Sequence, residues 1–217
     1  MSTKETQQVV VREPEPEFLD EFAGDNADKL RDFAADLFDR GETLGLIGPH
    51  EPARLWTRHI INSGLLAPLL EPNSKLADIG SGGGFPGIVL AAMRPDVAIR
   101  LIEPMERRCA WLQEQVERLG LDNAEVLRGR VEEYHGAFEV DQVTARAVTA
   151  LKKLVPWTAP LLVPGGKMLF LKGAGVHDEI ITAAKVLKKH RVVNYSVSVL
   201  GEGLTEPTRV FRGEIAA

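Results

Sequence analysis

The sequence predicts an α/β fold: a mostly parallel, doubly wound sheet of seven strands with a helical extension on its N-terminal side. Three observations carry the prediction. Short apolar runs alternate with longer helical runs from residue 75 onward, a glycine-rich loop follows the first apolar run, and the residues before it show helical periodicity without strand alternation. Parallel neighbours in one sheet need crossover connections, and those are right-handed almost without exception, so the helices must cover both faces.

Residues 1–17 are polar, charged and interrupted by Pro14 and Pro16, and read as a tail without fixed structure. Over residues 18–38, Leu30, Phe33, Ala34, Leu37 and Phe38 recur at three- and four-residue spacing, which predicts one amphipathic helix. Gly41, Gly45, Gly48 and Pro49 end it. A second helix is expected over 52–70, with Leu55, Ile60, Ile61, Leu65 and Leu66 on its buried side, so that the extension spans 18–71. The domain proper, 72–217, follows. Strands are expected at 75–79, 97–102, 124–127, 140–145, 167–171, 192–200 and 208–212, with helices at 86–93, 105–119, 151–162 and 177–189. Pro164-Gly165-Gly166 reads as a turn that introduces the fifth strand.

Composition bounds the function. With 44% hydrophobic residues in 217, the chain can bury an ordinary core without disulfides or a structural metal. Its one cysteine, Cys109, cannot pair internally and reads as a small buried hydrophobe. The five histidines lack ligand spacing, so no metal site is expected. No stretch approaches the roughly 18 apolar residues of a membrane span and no charged-then-apolar leader opens the chain, which predicts a soluble cytoplasmic protein. The net charge of −5 argues weakly against a nucleic-acid partner, but its distribution is uneven. Residues 1–51 hold 13 acids and 5 bases, whereas residues 151–217 hold 10 bases and 5 acids, leaving room for a basic face away from the N-terminal segment.

The strongest local signal is Asp78-Ile79-Gly80-Ser81-Gly82-Gly83-Gly84-Phe85-Pro86-Gly87, between an expected strand and an expected helix. Glycines allow a tight turn and let a ligand approach the backbone without a Cβ in the way. Gly82-x-Gly84-x-x-Gly87 fits a dinucleotide fingerprint, while Asp78-x-Gly80-x-Gly82-x-Gly84 resembles motif I of the class I, Rossmann-like methyltransferases that use S-adenosylmethionine. Asp78 favours the second reading. A carboxylate at the strand end repels a pyrophosphate, but suits a cofactor that has no phosphate and carries an ammonium and a sulfonium. Glu103 ends the next strand, 23 residues after Gly80, where an acid can accept hydrogen bonds from both hydroxyls of a ribose. Gly129-Arg130-Val131-Glu132-Glu133 follows the third strand, at the expected adenine edge. Glu132 is a reader candidate there, and Glu133 equally fits a helix N-terminal acid.

A closer resemblance covers the chain from about Phe18 to its end. Trp56-Thr57-Arg58-His59-Ile60-Ile61-Asn62-Ser63, the glycine loop, Gly129 to Glu133, Thr144-Ala145-Arg146-Ala147 and Leu171-Lys172-Gly173, in that order, resemble the bacterial 16S ribosomal RNA guanine-N7 methyltransferase family, also called small-subunit methyltransferase G or glucose-inhibited division protein B. The resemblance implies methylation of a guanine N7 in the 530 loop of 16S rRNA, on naked RNA or the assembled 30S subunit. It also implies cofactor contacts at Gly80, Phe85, Val131, Glu132 and Arg146. Two departures stand out: Asn62 replaces the commoner Asp, and Leu44-Gly45-Leu46-Ile47 replaces an Asn-Leu-Thr signature.

The chemistry is consistent with this assignment. Guanine N7 carries no proton, so methyl transfer to it needs positioning more than a general base. Arg146, at the carboxyl edge of the fourth strand, is the candidate catalytic residue. It can contact the cofactor, clamp a phosphate or donate to guanine O6 while leaving N7 free. Arg58, His59, Lys152, Lys153 and Lys172 are the candidate RNA contacts, with a structural role equally open for His59. Competing readings are a methyltransferase with another substrate, a nicotinamide-dependent oxidoreductase and a noncatalytic RNA-binding domain. The chain is expected to act as a monomer.

Overall fold

The structure, a computed structural model, describes residues 11–217. Residues 1–10 of the expected tail lie outside the described residues. Residues 11–17 form neither helix nor strand, yet Glu13 is tied down: its N–H donates to the Pro52 carbonyl (2.8 Å) and its carboxylate accepts from the Thr57 N–H (3.1 Å) and hydroxyl (2.7 Å).

The domain is a seven-stranded mixed sheet in the order β3-β2-β1-β4-β5-β7-β6. Its strands are β1 (Lys75–Ile79), β2 (Ala98–Glu103), β3 (Ala124–Arg128), β4 (Val140–Arg146), β5 (Leu162–Lys172), β6 (Val192–Leu200) and β7 (Thr208–Ile215). The first five run parallel, and β7 is antiparallel to both of its neighbours. The chain leaves β1 toward β2 and later returns to β4 on the other side. The crevice between β1 and β4 is therefore a topological switch point, where open α/β sheets hold their ligands at the carboxyl ends of the strands.

Helices α1 (Leu19–Ala23), α2 (Ala27–Arg40), α3 (Asn62–Gly64), α4 (Gly87–Met93) and α5 (Glu106–Arg118) precede β3; α6 (Leu151–Thr158) and α7 (Val176–Lys189) follow β4 and β5. Two buried apolar clusters back the two faces of the sheet. One joins Leu30, Phe33 and Leu37 of the extension to Ile88 and Leu101, and the other gathers Leu154, Phe170, Ala183 and Phe211.

Four expected elements differ from those observed. The single helix over 18–38 is broken at Gly24–Asn26, a 3₁₀ turn made of poor helix formers with Gly24 at φ 56°. The second helix, over 52–70, is a 3₁₀ turn (Glu51–Arg54), a π-helical stretch (Leu55–Ile61), α3 and a further 3₁₀ turn (Ala67–Leu69); Leu55, Ile60, Ile61 and Leu66 are buried as the spacing implied, whereas Leu65 is only half-buried. The helix expected over 151–162 ends as α6 at Thr158, followed by a 3₁₀ turn containing Pro160. Prolines at 156 and 160 supply no backbone N–H to continue it. Pro164-Gly165-Gly166 lies within β5, because Gly165 at φ 79° forms a bulge: β5 advances from Leu162 to Lys167 while β4 advances only from Val140 to Gln142.

Candidate functional site

A cavity of about 550 Å³ opens at the carboxyl ends of β1 to β4. The loop after β1 forms its floor. Gly80 and Ser81 donate their N–H groups to the Ile102 carbonyl (2.8 and 3.2 Å), which carries the chain over the end of β2. Gly80 sits at φ 70°, and a Cβ there would lie 2.9 Å from Val148 Cγ2; the loop needs glycine for both conformation and space. The extension and α5 clamp the loop from behind. Phe33 packs on Phe85 at 5.6 Å between ring centroids, and Trp111 Nε1 donates to the Gly83 carbonyl at 3.1 Å.

Both acids of the motif are buried, with different tasks. Glu103 lines the cavity and accepts from the Gly82 N–H (2.9 Å) and the Met105 N–H (3.0 Å), so its carboxylate is oriented by backbone on both sides. Asp78 does not line the cavity. It lies beneath the loop, where Oδ2 accepts the Gly87 N–H at 3.0 Å and Oδ1 has no partner. Burial pushes its pKa up to about 7, against the lowering effects of the Ser81 hydroxyl and the Gly87 N–H. The expectation that Asp78 faces the ammonium of a ligand is thus corrected: it braces the loop from below. Gly82 and Gly84 shape the loop, and Gly84 is pressed between Phe33 and Ile88.

Across the cavity, Val131 and Glu132 line the wall after β3, whereas Glu133 turns back to accept the Arg130 N–H at 2.8 Å as a helix cap. Leu46, Met105, Arg108 and Trp157 also line the cavity. These four carry no motif. Leu46 lies in the segment that replaces the Asn-Leu-Thr signature, the one trace of it in sequence.

Arg146 ends β4 on the opposite side. Its Nη2 donates to His59 Nδ1 at 2.9 Å, and its guanidinium lies 5.5 Å from the centroid of the Phe85 ring. His59 Nε2 in turn donates to Glu51, whose other oxygen accepts from Arg54. Burial, reinforced by the Arg146 charge, drives the His59 pKa down to about 4, so the ring is neutral with its proton on Nε2 and its Nδ1 lone pair toward arginine. Burial likewise lowers the Arg146 pKa to about 10, which leaves it charged at neutral pH. The Glu51 carboxyl lies below its ordinary value: burial raises it, but the hydrogen bonds from His59 and Arg54 outweigh that effect.

The candidate RNA contacts separate. Lys152 and Lys153 are exposed on α6, and Arg58 is half-exposed at the mouth of a second cavity. His59 is spent on Glu51 and Arg146. Lys172 lines the second cavity with its side chain 9% exposed and its ammonium held by Glu179 (2.6 Å) and the Thr149 carbonyl (2.9 Å). Cys109 is buried, with its thiol against the Glu103 carbonyl.

A buried carboxylate, Glu103, at the end of β2 and a floor in which Gly80 leaves no room for a Cβ suit a nucleoside ligand such as S-adenosylmethionine, in a cavity lined by both carboxylates (Glu103, Glu132) and arginines (Arg108, Arg130, Arg146). The comparisons with known proteins agree. Among solved structures, an S-adenosylmethionine-dependent O-methyltransferase from Thermotoga maritima superposes with a TM-score of 0.57 at 15% identity, over 72% of this chain and 65% of that one. The M. jannaschii TYW2 structure in complex with AdoMet gives 0.58 at 17% identity, over 74% and 76%. At such identities the likeness concerns the fold, which is that of class I methyltransferases. Sequence relatives reach further. The ribosomal RNA small subunit methyltransferase G of Clavibacter michiganensis subsp. michiganensis is 51% identical over 95% of this chain and 98% of its own length. That of Leifsonia xyli subsp. xyli is 52% identical over 94% and 97%. The family model for rRNA small subunit methyltransferase G matches residues 26–208. The chain belongs to this family of S-adenosylmethionine-dependent methyltransferases.

Proposed function

We propose that this protein methylates N7 of a guanine in the 530 loop of 16S rRNA, in the cytoplasm and as a monomer. The observation that carries the reading is the placement of Arg146. It stands between the cofactor cavity and a second, charged cavity, locked on one side by neutral His59, whose own proton is held by Glu51. Bound S-adenosylmethionine supplies an electrophilic methyl group on a sulfonium. We assign Gly80, Gly82, Gly84 and Phe85 to its methionine end, Glu103 to its ribose, and Val131 and Glu132 to its adenine. Asp78 supports the loop that holds it. Arg146 orients the base by donating to O6, and N7 stays free to attack. One chain lines both cavities, and among the described residues no helix is long and apolar enough to cross a membrane. Lys152, Lys153 and Arg58 are the proposed phosphate contacts.

The test is nucleoside mass spectrometry of 16S rRNA from cells with and without the gene. A single N7-methylguanosine in the 530 loop should disappear on deletion and return when the purified protein and S-adenosylmethionine are added to the mutant subunits. Unchanged 16S rRNA, with methylation lost elsewhere, would assign the enzyme another substrate.

A further inference from the structure

The second cavity, about 500 Å³, adjoins the first across Arg146, Ala147 and Val148, which line both. Its volume is ordinary for a ligand site. The shared wall is unusual. Ala147 lies at φ 54°, a left-handed conformation that a residue with a Cβ adopts only when its surroundings hold it, and such residues concentrate at functional sites. Val148, partly exposed, covers Gly80 on the cofactor side.

The charges of the second cavity are not equivalent. Lys172 and Glu179 neutralise each other at 2.6 Å, and Glu179 also accepts the Leu151 N–H at 2.9 Å. The remaining carboxylate, Glu206, lies in the loop between β6 and β7 with its side chain 80% exposed. Its contact with Arg58 is long, at 3.6 Å. Among the described residues lining this cavity, Glu206 is therefore the carboxylate able to take a new partner.

We propose that the second cavity receives the target base and that Glu206 reads its Watson–Crick edge, an inference that rests on the guanine reading above. Guanine presents N1–H and N2–H as adjacent donors on one edge, and O6 and N7 as acceptors on another. A carboxylate accepts from both donors at once, and it repels adenine, whose N1 is an acceptor. With that edge on Glu206, O6 and N7 turn toward Arg146 and the cofactor cavity. The N7 lone pair then forms the new N–CH₃ bond as the C–S bond breaks with its electrons left on sulfur. The positive charge passes to the base and no proton is released.

The experiment uses 30S subunits whose 16S rRNA carries either guanosine or inosine at the target position; inosine lacks only the N2 amino group. Wild-type kcat/KM should fall about 10- to 100-fold on inosine, the effect of one lost hydrogen bond to a charged group. RNA affinity measured with S-adenosylhomocysteine bound should fall in the same direction. Glu206→Ala should lose about 10- to 100-fold on guanosine and no longer distinguish the two substrates, with its affinity for S-adenosylhomocysteine unchanged by calorimetry. Wild-type discrimination retained in Glu206→Ala overturns the assignment, as does a loss of S-adenosylhomocysteine affinity. Failure of the wild type to methylate the guanosine subunits overturns the guanine reading itself, and this inference with it.

Discussion

The cavity over the glycine loop and the cavity beyond Arg146 are built by opposite means. The floor of the first is shaped by backbone. Gly80, Gly82 and Gly84 take conformations with positive φ, and the Glu103 carboxylate is fixed by two N–H groups. The second is walled by charged side chains from the π-helical stretch, the end of β5 and the loop after β6, and two of its ion-pair contacts, Arg58 with Glu51 and with Glu206, are as long as 3.6 Å. A small cofactor of constant shape suits a site shaped before it arrives. A base carried on a large RNA suits side chains that exchange one partner for another. The difference predicts where mutations act through space and where they act through charge.

The largest effect should come from the backbone-built side. A side chain at Gly80 must adopt φ 70° and collide with Val148, so Gly80→Val should abolish detectable binding of S-adenosylmethionine while far-ultraviolet circular dichroism stays native. Calorimetry decides it. Wild-type affinity in a folded Gly80→Val protein breaks the claim that the first cavity holds the cofactor.

Arg146, on the border of the two cavities, should show an intermediate effect. Arg146→Lys keeps a charge but loses the planar fork that reaches His59 and a second acceptor together. Single-turnover rates on 30S subunits should fall about 10- to 100-fold, and further for Arg146→Ala. His59 and Arg146 titrate near 4 and 10, so neither should impose an ionisation on the wild-type rate from about pH 6 to 9, whereas Arg146→Ala removes the charge that helps hold His59 down and should let its pKa rise toward that window. A wild-type rate in Arg146→Lys removes arginine from the positioning role. An ionisation of the wild-type rate in that range that Asp78→Asn leaves in place instead points to acid–base chemistry at this border.

The same contrast governs what could be read from sequence. Backbone-built features leave a pattern: glycines at alternate positions, an acid before them, an apolar run ending in Glu103. The sheet was legible for the same reason, since strands and helices bury residues at fixed periods. Side-chain-built features leave little. Glu51 and Glu206 stand 95 positions from Arg146 and 60 positions after it, and nothing local marks either one as a neighbour of Arg58. Lys172 looked like its neighbours Lys152 and Lys153 until its partner Glu179 was known. The π winding of Leu55–Ile61 was hidden as well, because its buried residues recur at intervals an α-helix would also satisfy. Gly165 read as a turn because positive φ serves a turn and a bulge alike.

The smallest effect is one of stability, and it tests whether the backbone-built side is as closed as the geometry implies. Asp78 is fully buried with one oxygen unpartnered, and its pKa is raised from the ordinary 3.8 to about 7. Below about pH 4 the carboxyl is protonated folded and unfolded alike. Between about pH 4 and 7 the folded chain keeps a proton that the unfolded chain has lost, so stability falls as pH rises, by at most about 1.4 kcal/mol per pH unit. Above that window the folded protein carries a buried charge. Asp78→Asn removes the titration and should flatten this part of the curve relative to the wild type, as read from urea melts across the window without ligand. Saturating S-adenosylmethionine, a cation bound on the other side of the loop, should favour the charged carboxylate and move the wild-type window to lower pH. Parallel stability curves for wild type and Asp78→Asn would mean that water reaches Asp78, and the floor of the first cavity would then be less sealed than the second cavity's charged wall.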